Sequence, residues 1–168
     1  MFADEARFGR MNRPRPCWAP ARIRPNVASQ LIREYIYLYG AVAPKDGTCV
    51  YLIMPTSNTA CFQAFLDVLS RKFARQDILL VLDGAPNHRS GQLVVPDNIS
   101  LLFLPPYSPE LNPMENVWEY LRANKLCAVV WDTYDAIVEA CRAAWEFLTD
   151  DPDRIRSIGT REWASVSG

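Results

Sequence analysis

The sequence predicts an α/β domain, a mixed sheet of about five strands with helices on both faces. Three observations carry this. Ile78-Leu79-Leu80-Val81-Leu82 is an unbroken apolar run, the pattern of a strand buried on both faces beneath helices. Residues 35–42 and 48–54 are aromatic and β-branched and flank Pro44-Lys45-Asp46-Gly47, which reads as a hairpin with a four-residue connection. Three further stretches repeat their apolar residues at helical spacing.

Taken in order, Met1-Phe2-Ala3 is a short apolar stub ending at Asp4, readable as the tail of a truncated first strand. Residues 9–30 are rich in Arg and Pro and lack periodicity, so a long irregular loop is expected, and loops of that length tend to be functional. After the hairpin, Asn58 can cap a helix carrying Cys61, Phe62, Phe65, Leu66 and Leu69. The apolar run ends at Asp83-Gly84, and residues 99–104 form another strand closed by Pro105-Pro106. A helix from Pro113 to Lys125 places Met114, Val117, Trp118 and Leu121 on one face. Another, Thr133–Leu148, does so with Ala136, Ile137, Ala140, Cys141, Ala144 and Leu148, and a short turn is expected at Pro152–Ile158.

Composition bounds the function. At 168 residues the chain is the size of one domain, and 49% hydrophobic with 22% charged residues is ordinary globular usage. No apolar run is long enough to span a bilayer, and the first five residues cannot open a signal peptide, so a cytoplasmic protein with no membrane partner is expected. The five cysteines have no C-x-x-C pair and read as reduced, packed thiols, not a disulfide or zinc framework. Net charge is −1, but Arg7, Arg10, Arg13, Arg15, Arg22 and Arg24 precede any further acid until Glu34, whereas acids outnumber bases beyond residue 110. Such a cluster is either a solvated loop or a phosphate-contacting surface.

Three acids occupy positions that suit chemistry. Asp4 ends the first apolar stub, Asp83 follows a buried strand at its carboxyl end, and Glu115 lies in the first turn of the helix starting at Pro113. Reactive groups gather at strand carboxyl ends in open α/β sheets. Converging carboxylates repel unless a cation lies between them, and hard divalent cations prefer such ligands. Each acid also has a structural explanation. Asp83-Gly84 suits a turn, and Asn112, Pro113 and Glu115 fit the N-cap, N1 and N3 positions of a capping box. His88, the single histidine, reads as capping or packing at a helix start ahead of metal binding.

The stretches Asp4-Glu5-Ala6-Arg7-Phe8-Gly9, Leu80–Ser90 (LVLDGAPNHRS) and Leu104–Trp118 (LPPYSPELNPMENVW) resemble the DDE transposases of bacterial insertion sequences in the Tc/mariner superfamily. The third stretch is long and specific, and the resemblance extends to Trp18-Ala19-Pro20 and to residues 154–158. It implies a ribonuclease H-like endonuclease domain covering residues 1–168. Asp4, Asp83 and Glu115 then become the catalytic carboxylates, and Asn87, His88 and Asn112 secondary positions. Residues 84–114 separate the last two acids, slightly fewer than is usual in the superfamily. Glu5, beside Asp4, should face the opposite side of its strand.

The resemblance implies two Mg²⁺ or Mn²⁺ ions roughly 3.5–4 Å apart, one activating water or a 3′-hydroxyl, the other stabilising the leaving oxygen. The reactions implied are hydrolysis at transposon ends and 3′-hydroxyl strand transfer into target DNA. The six arginines would contact DNA. A homodimer or synaptic assembly is expected, as is a helix-turn-helix region from a separate or frame-shifted product, since residues 1–168 offer none. Two alternatives stand beside this reading: an inactive remnant that binds DNA or assembles without turnover, and a metal-free carboxylate-pair hydrolase such as a glycosidase using Asp83 and Glu115.

Overall fold

The structure is a computed structural model that describes residues 1–10, 18–26, 30–126, 129–160 and 163. Among these residues five strands, β1 (Phe2–Gly9), β2 (Tyr35–Ala43), β3 (Thr48–Met54), β4 (Ile78–Leu82) and β5 (Ile99–Phe103), form one sheet in the order β3-β2-β1-β4-β5. β2 runs antiparallel to its neighbours β1 and β3, while β4 and β5 run parallel to β1. Among the described residues the helices are, in chain order, α1 (Thr59–Lys72), α2 (Pro113–Asn124), α3 (Tyr134–Thr149) and α4 (Pro152–Gly159).

The first strand differs from the stub read in the sequence. It runs eight residues, with Asp4 inside it, and pairs with β2 along its whole length from Phe2↔Val42 to Gly9↔Tyr35. Its alternation explains why: Phe2, Ala6 and Phe8 are buried on one face, and Ala3 is buried on the other. Pairing with β4 is short by contrast, with Phe2 opposite Val81 and flanking bonds from the Met1 ammonium to Leu79 O (2.7 Å) and from Val81 N to Met1 O (2.8 Å).

The two faces have separate cores. Helix α1 lays Cys61, Phe62, Phe65, Leu66 and Leu69 against Ala3, Tyr39, Ala41, Leu80 and Leu82. Asn58 caps it, its Oδ1 accepting from Cys61 N at 2.8 Å. The opposite face is covered by α2, α3 and α4 through Met114, Trp118, Trp145, Leu148 and Ile155. These helices lie flush on β2 because residue 40 is glycine: a Cβ there would stand 2.6 Å from the Trp145 ring and 2.8 Å from Met114 and Trp118.

The hairpin turn is as read, with Gly47 at φ +73 in the left-handed region. The turn expected at residues 152–158 is a full helix, started by Asp151 Oδ1 accepting from Asp153 N and Arg154 N. A short 3₁₀ turn, Pro109–Leu111, leads into α2. Cys49, Cys61 and Cys141 are buried free thiols, and Cys17 and Cys127 lie outside the described residues. Among the described residues no helix is long and apolar enough to cross a membrane.

Candidate active site

The alternation of β1 turns neighbouring acids to opposite sides of the sheet. Asp4 shares its face with Phe2 and Ala6, beneath α2, where the Trp118 indole N–H donates to its Oδ2 at 2.8 Å. Burial pushes the Asp4 carboxyl up from its ordinary 3.8 to about 7; the Trp118 bond opposes the rise and the Glu115 charge adds to it. A tryptophan that the sequence presents as simple core therefore also holds the Asp4 carboxyl in place.

Asp83 projects from the end of β4 just beyond buried Leu82. Its Oδ1 accepts from Ala85 N (3.1 Å) and from His88 Nδ1 (2.8 Å). The His88 hydrogen bond is the main reason its carboxyl stays below the usual range.

Glu115 sits exposed in the first turn of α2. The reciprocal capping box expected there is incomplete. Asn112 Oδ1 does accept from Met114 N at 3.1 Å, but the backbone N–H of Asn112 donates to Pro109 O at 3.0 Å. The 3₁₀ turn thus takes the donor that the Glu115 carboxylate would have satisfied. Asn112, itself buried, also donates through Nδ2 to Ala3 O at 3.0 Å, tying the start of α2 to β1 next to Asp4.

Asp4, Asp83 and Glu115 line one open pocket of about 350 Å³, walled by Arg89 and by the loop from Leu104 to Pro109. As they stand, no three acidic, histidine or cysteine side chains among the described residues are gathered closely enough to cage a metal. The donor chemistry nevertheless fits a hard divalent cation: three carboxylates face one cavity, one of them buried and raised in pKa partly by another.

Glu5, on the other face, is fully engaged by protein donors. Its Oε1 accepts from Ser57 Oγ (2.9 Å) and Asn87 Nδ2 (3.1 Å), and its Oε2 from His88 Nε2 (3.0 Å). Burial works to raise its pKa, but these bonds outweigh it and hold the carboxyl low. His88 is buried against the Phe62 ring (4.3 Å between centroids) and does not line the pocket. With both ring nitrogens facing carboxylate oxygens, both donate, which is the imidazolium form. Burial pulls its pKa down, yet the bonds to Asp83 and Glu5 raise it to about 9.

The arginines divide. Arg7 is exposed, its guanidinium 4.6 Å from the Tyr35 ring centroid. Arg10 is built into the fold, pairing with Glu34 at 2.7 Å and donating through Nε to Trp131 O at 3.0 Å. Arg22 and Arg24 are exposed, and Arg13 and Arg15 lie outside the described residues. Of Arg7, Arg10, Arg22 and Arg24, none lines the pocket, whereas Arg89 does, over the Phe103 ring at 4.6 Å and against Gly84. In the sequence Arg89 stands apart from the arginine cluster of residues 7–24 and so does not draw notice by charge. Its one signal was its place beside His88.

Comparison with known proteins places these features in a family. Residues 1–137 match the model of the DDE superfamily endonuclease. An uncharacterized protein, y4pE/y4sA, of Sinorhizobium fredii (strain NBRC 101917 / NGR234) is 46% identical over 134 residues, covering 79% of this chain and 99% of its own length. The Tc3 transposase of Caenorhabditis elegans is 27% identical over 166 residues, but the chain spans half of its length. Among solved structures, the Mos1 transposase paired-end complex superposes with a TM-score of 0.68 at 20% identity, covering 94% of this chain and 50% of that one. The catalytic domain of Mos1 mariner transposase gives 0.63 at 18% identity, covering 94% and 73%. The fold is ribonuclease H-like, and the chain belongs to the DDE superfamily of endonucleases.

Proposed function

We propose that this chain is a transposase catalytic domain in which Asp4, Asp83 and Glu115 hold divalent metal to cut phosphodiester bonds at transposon ends and join the freed 3′-hydroxyl to target DNA. The observation carrying this reading is the meeting of the three acids, from β1, the end of β4 and the start of α2, in a single pocket. Mg²⁺ or Mn²⁺, when bound, supplies Lewis acidity and a water of lowered pKa. Mos1 complexes containing Mn and Mg support that choice of ion.

The chain's own residues do the rest. Trp118 holds Asp4 by one oxygen, and Asn112 fixes the start of α2, and so Glu115, relative to β1. Arg89, in the pocket wall, is placed to meet a phosphate, and its charge also helps keep Asp83 ionised. Exposed Arg7, Arg22 and Arg24 are candidates for flanking phosphate contacts. The Mos1 paired-end complex contains a transposon end, which supports DNA as the partner and a dimeric paired-end assembly here. Recognition of a particular end sequence would fall to a separate helix-turn-helix region.

Glu115→Gln tests the reading. The chain should fold as wild type, because its side chain takes no part in the cap, and should lose Mn²⁺-dependent nicking of duplex DNA. Equal nicking by wild type in chelator would sink the metal reading. A wild-type chain whose melting temperature Mn²⁺ does not raise would instead favour a non-catalytic DNA-binding or assembly role.

A further inference from the structure

We propose that Glu5 and His88 are positioning residues that aim the unengaged oxygen of Asp83 at the cation; this rests on the metal reading above. Asp83 is the most weakly supported of the three acids by backbone alone. It lies past the end of β4, and its side chain is 58% exposed. A carboxylate so placed would rotate freely about its two side-chain torsions. Two donors on one oxygen prevent this: Ala85 N and His88 Nδ1 both reach Oδ1. Among the described residues no hydrogen bond reaches Oδ2, so the group is held by one oxygen while the other stays without a protein partner, in a residue that lines the pocket.

The support continues behind the histidine. A ring that orients a ligand must itself be oriented, and His88 is held on its far nitrogen by Glu5 Oε2 and on its face by Phe62. Glu5 is braced in turn by Ser57, from the segment before α1, and by Asn87. With every Glu5 oxygen taken by protein, Glu5 is excluded as a ligand and assigned to support. One strand register therefore serves two purposes. Asp4 faces the pocket directly, and its neighbour Glu5 acts on Asp83 from the opposite face of the sheet, through His88. Partners that orient a metal ligand in this way typically matter for affinity by about 10–100-fold.

The test uses the full chain with Mn²⁺ as probe, titrated by electron paramagnetic resonance, and nicking rate measured against Mn²⁺ concentration. Glu5→Gln is nearly isosteric and keeps the protein foldable; His88→Gln is the second variant. Loss of orientation predicts Mn²⁺ binding weaker by about 10-fold or more in folded Glu5→Gln. The half-saturating Mn²⁺ for nicking should move upward with it, while the plateau rate recovers at high Mn²⁺. A purely structural role would lower the plateau through loss of folded protein and leave half-saturation where it was. Either variant, folded and binding Mn²⁺ as tightly as wild type, overturns the proposal. If wild type binds no Mn²⁺ at all, the metal reading falls first and takes this inference with it.

Discussion

Replacing Asp4 by asparagine should make the metal-free protein more stable above neutral pH. The carboxyl is buried beneath α2, and its pKa rises from 3.8 to about 7 in the folded chain. Between those values the native state holds a proton that the unfolded state has released, so stability falls as pH rises through the interval. At about 1.36 kcal/mol per unit, the penalty approaches roughly 4 kcal/mol once Asp4 is fully ionised. Asparagine has the same shape, still offers an oxygen to the Trp118 indole N–H, and carries no charge to desolvate. For a chain of this size, a change of that order corresponds to a Tm difference of about 10 °C. Thermal melts in chelator from about pH 4 to pH 8 should converge for the two proteins at the acid end and diverge at the alkaline end. Other titrating groups, His88 among them, are common to both and cancel in the difference. Mn²⁺ should then raise the Tm of wild type far more than that of Asp4→Asn, because a bound cation relieves the buried charge. Parallel pH profiles in chelator would refute the reasoning.

Other substitutions separate the fold from the chemistry. Asn112→Ala removes the α2 cap and orphans the carbonyl of Ala3, and should cost roughly 2–4 kcal/mol by urea denaturation. Gly40→Ala drives a methyl into Trp145, Met114 and Trp118 and should cost about 1–3 kcal/mol, read as a lowered Tm with an unchanged denaturant slope. Arg89→Gln should weaken DNA binding and reduce its salt slope by about one, whereas Arg10→Gln should lower stability and leave that slope unchanged.

Much of the molecule is local and therefore legible. The faces of α1, α2 and α3 follow from a 3.6-residue repeat, the burial of β4 from its unbroken apolar run, and the hairpin from Pro44–Gly47. The three pocket acids are also readable, because each lies within an ordered motif. The full length of β1 is not legible, because Ala6-Arg7-Phe8 is too short and too mixed to declare itself; β2, paired with all eight residues, makes it a strand. Arg10 reads as free charge in the sequence, and only the fold brings Glu34 and the carbonyl of Trp131 beside it.

Glu5 and His88 mark the same divide at the site. Sequence by itself put Asp4 and Glu5 on opposite faces and named the pocket acids, since alternation and motif are properties of neighbouring residues. Tertiary structure alone decided that Glu5 meets His88 across 83 positions and that Trp118 meets Asp4 across 114. A hydrogen bond forms wherever folding brings donor and acceptor together, and no periodicity along the chain records that meeting.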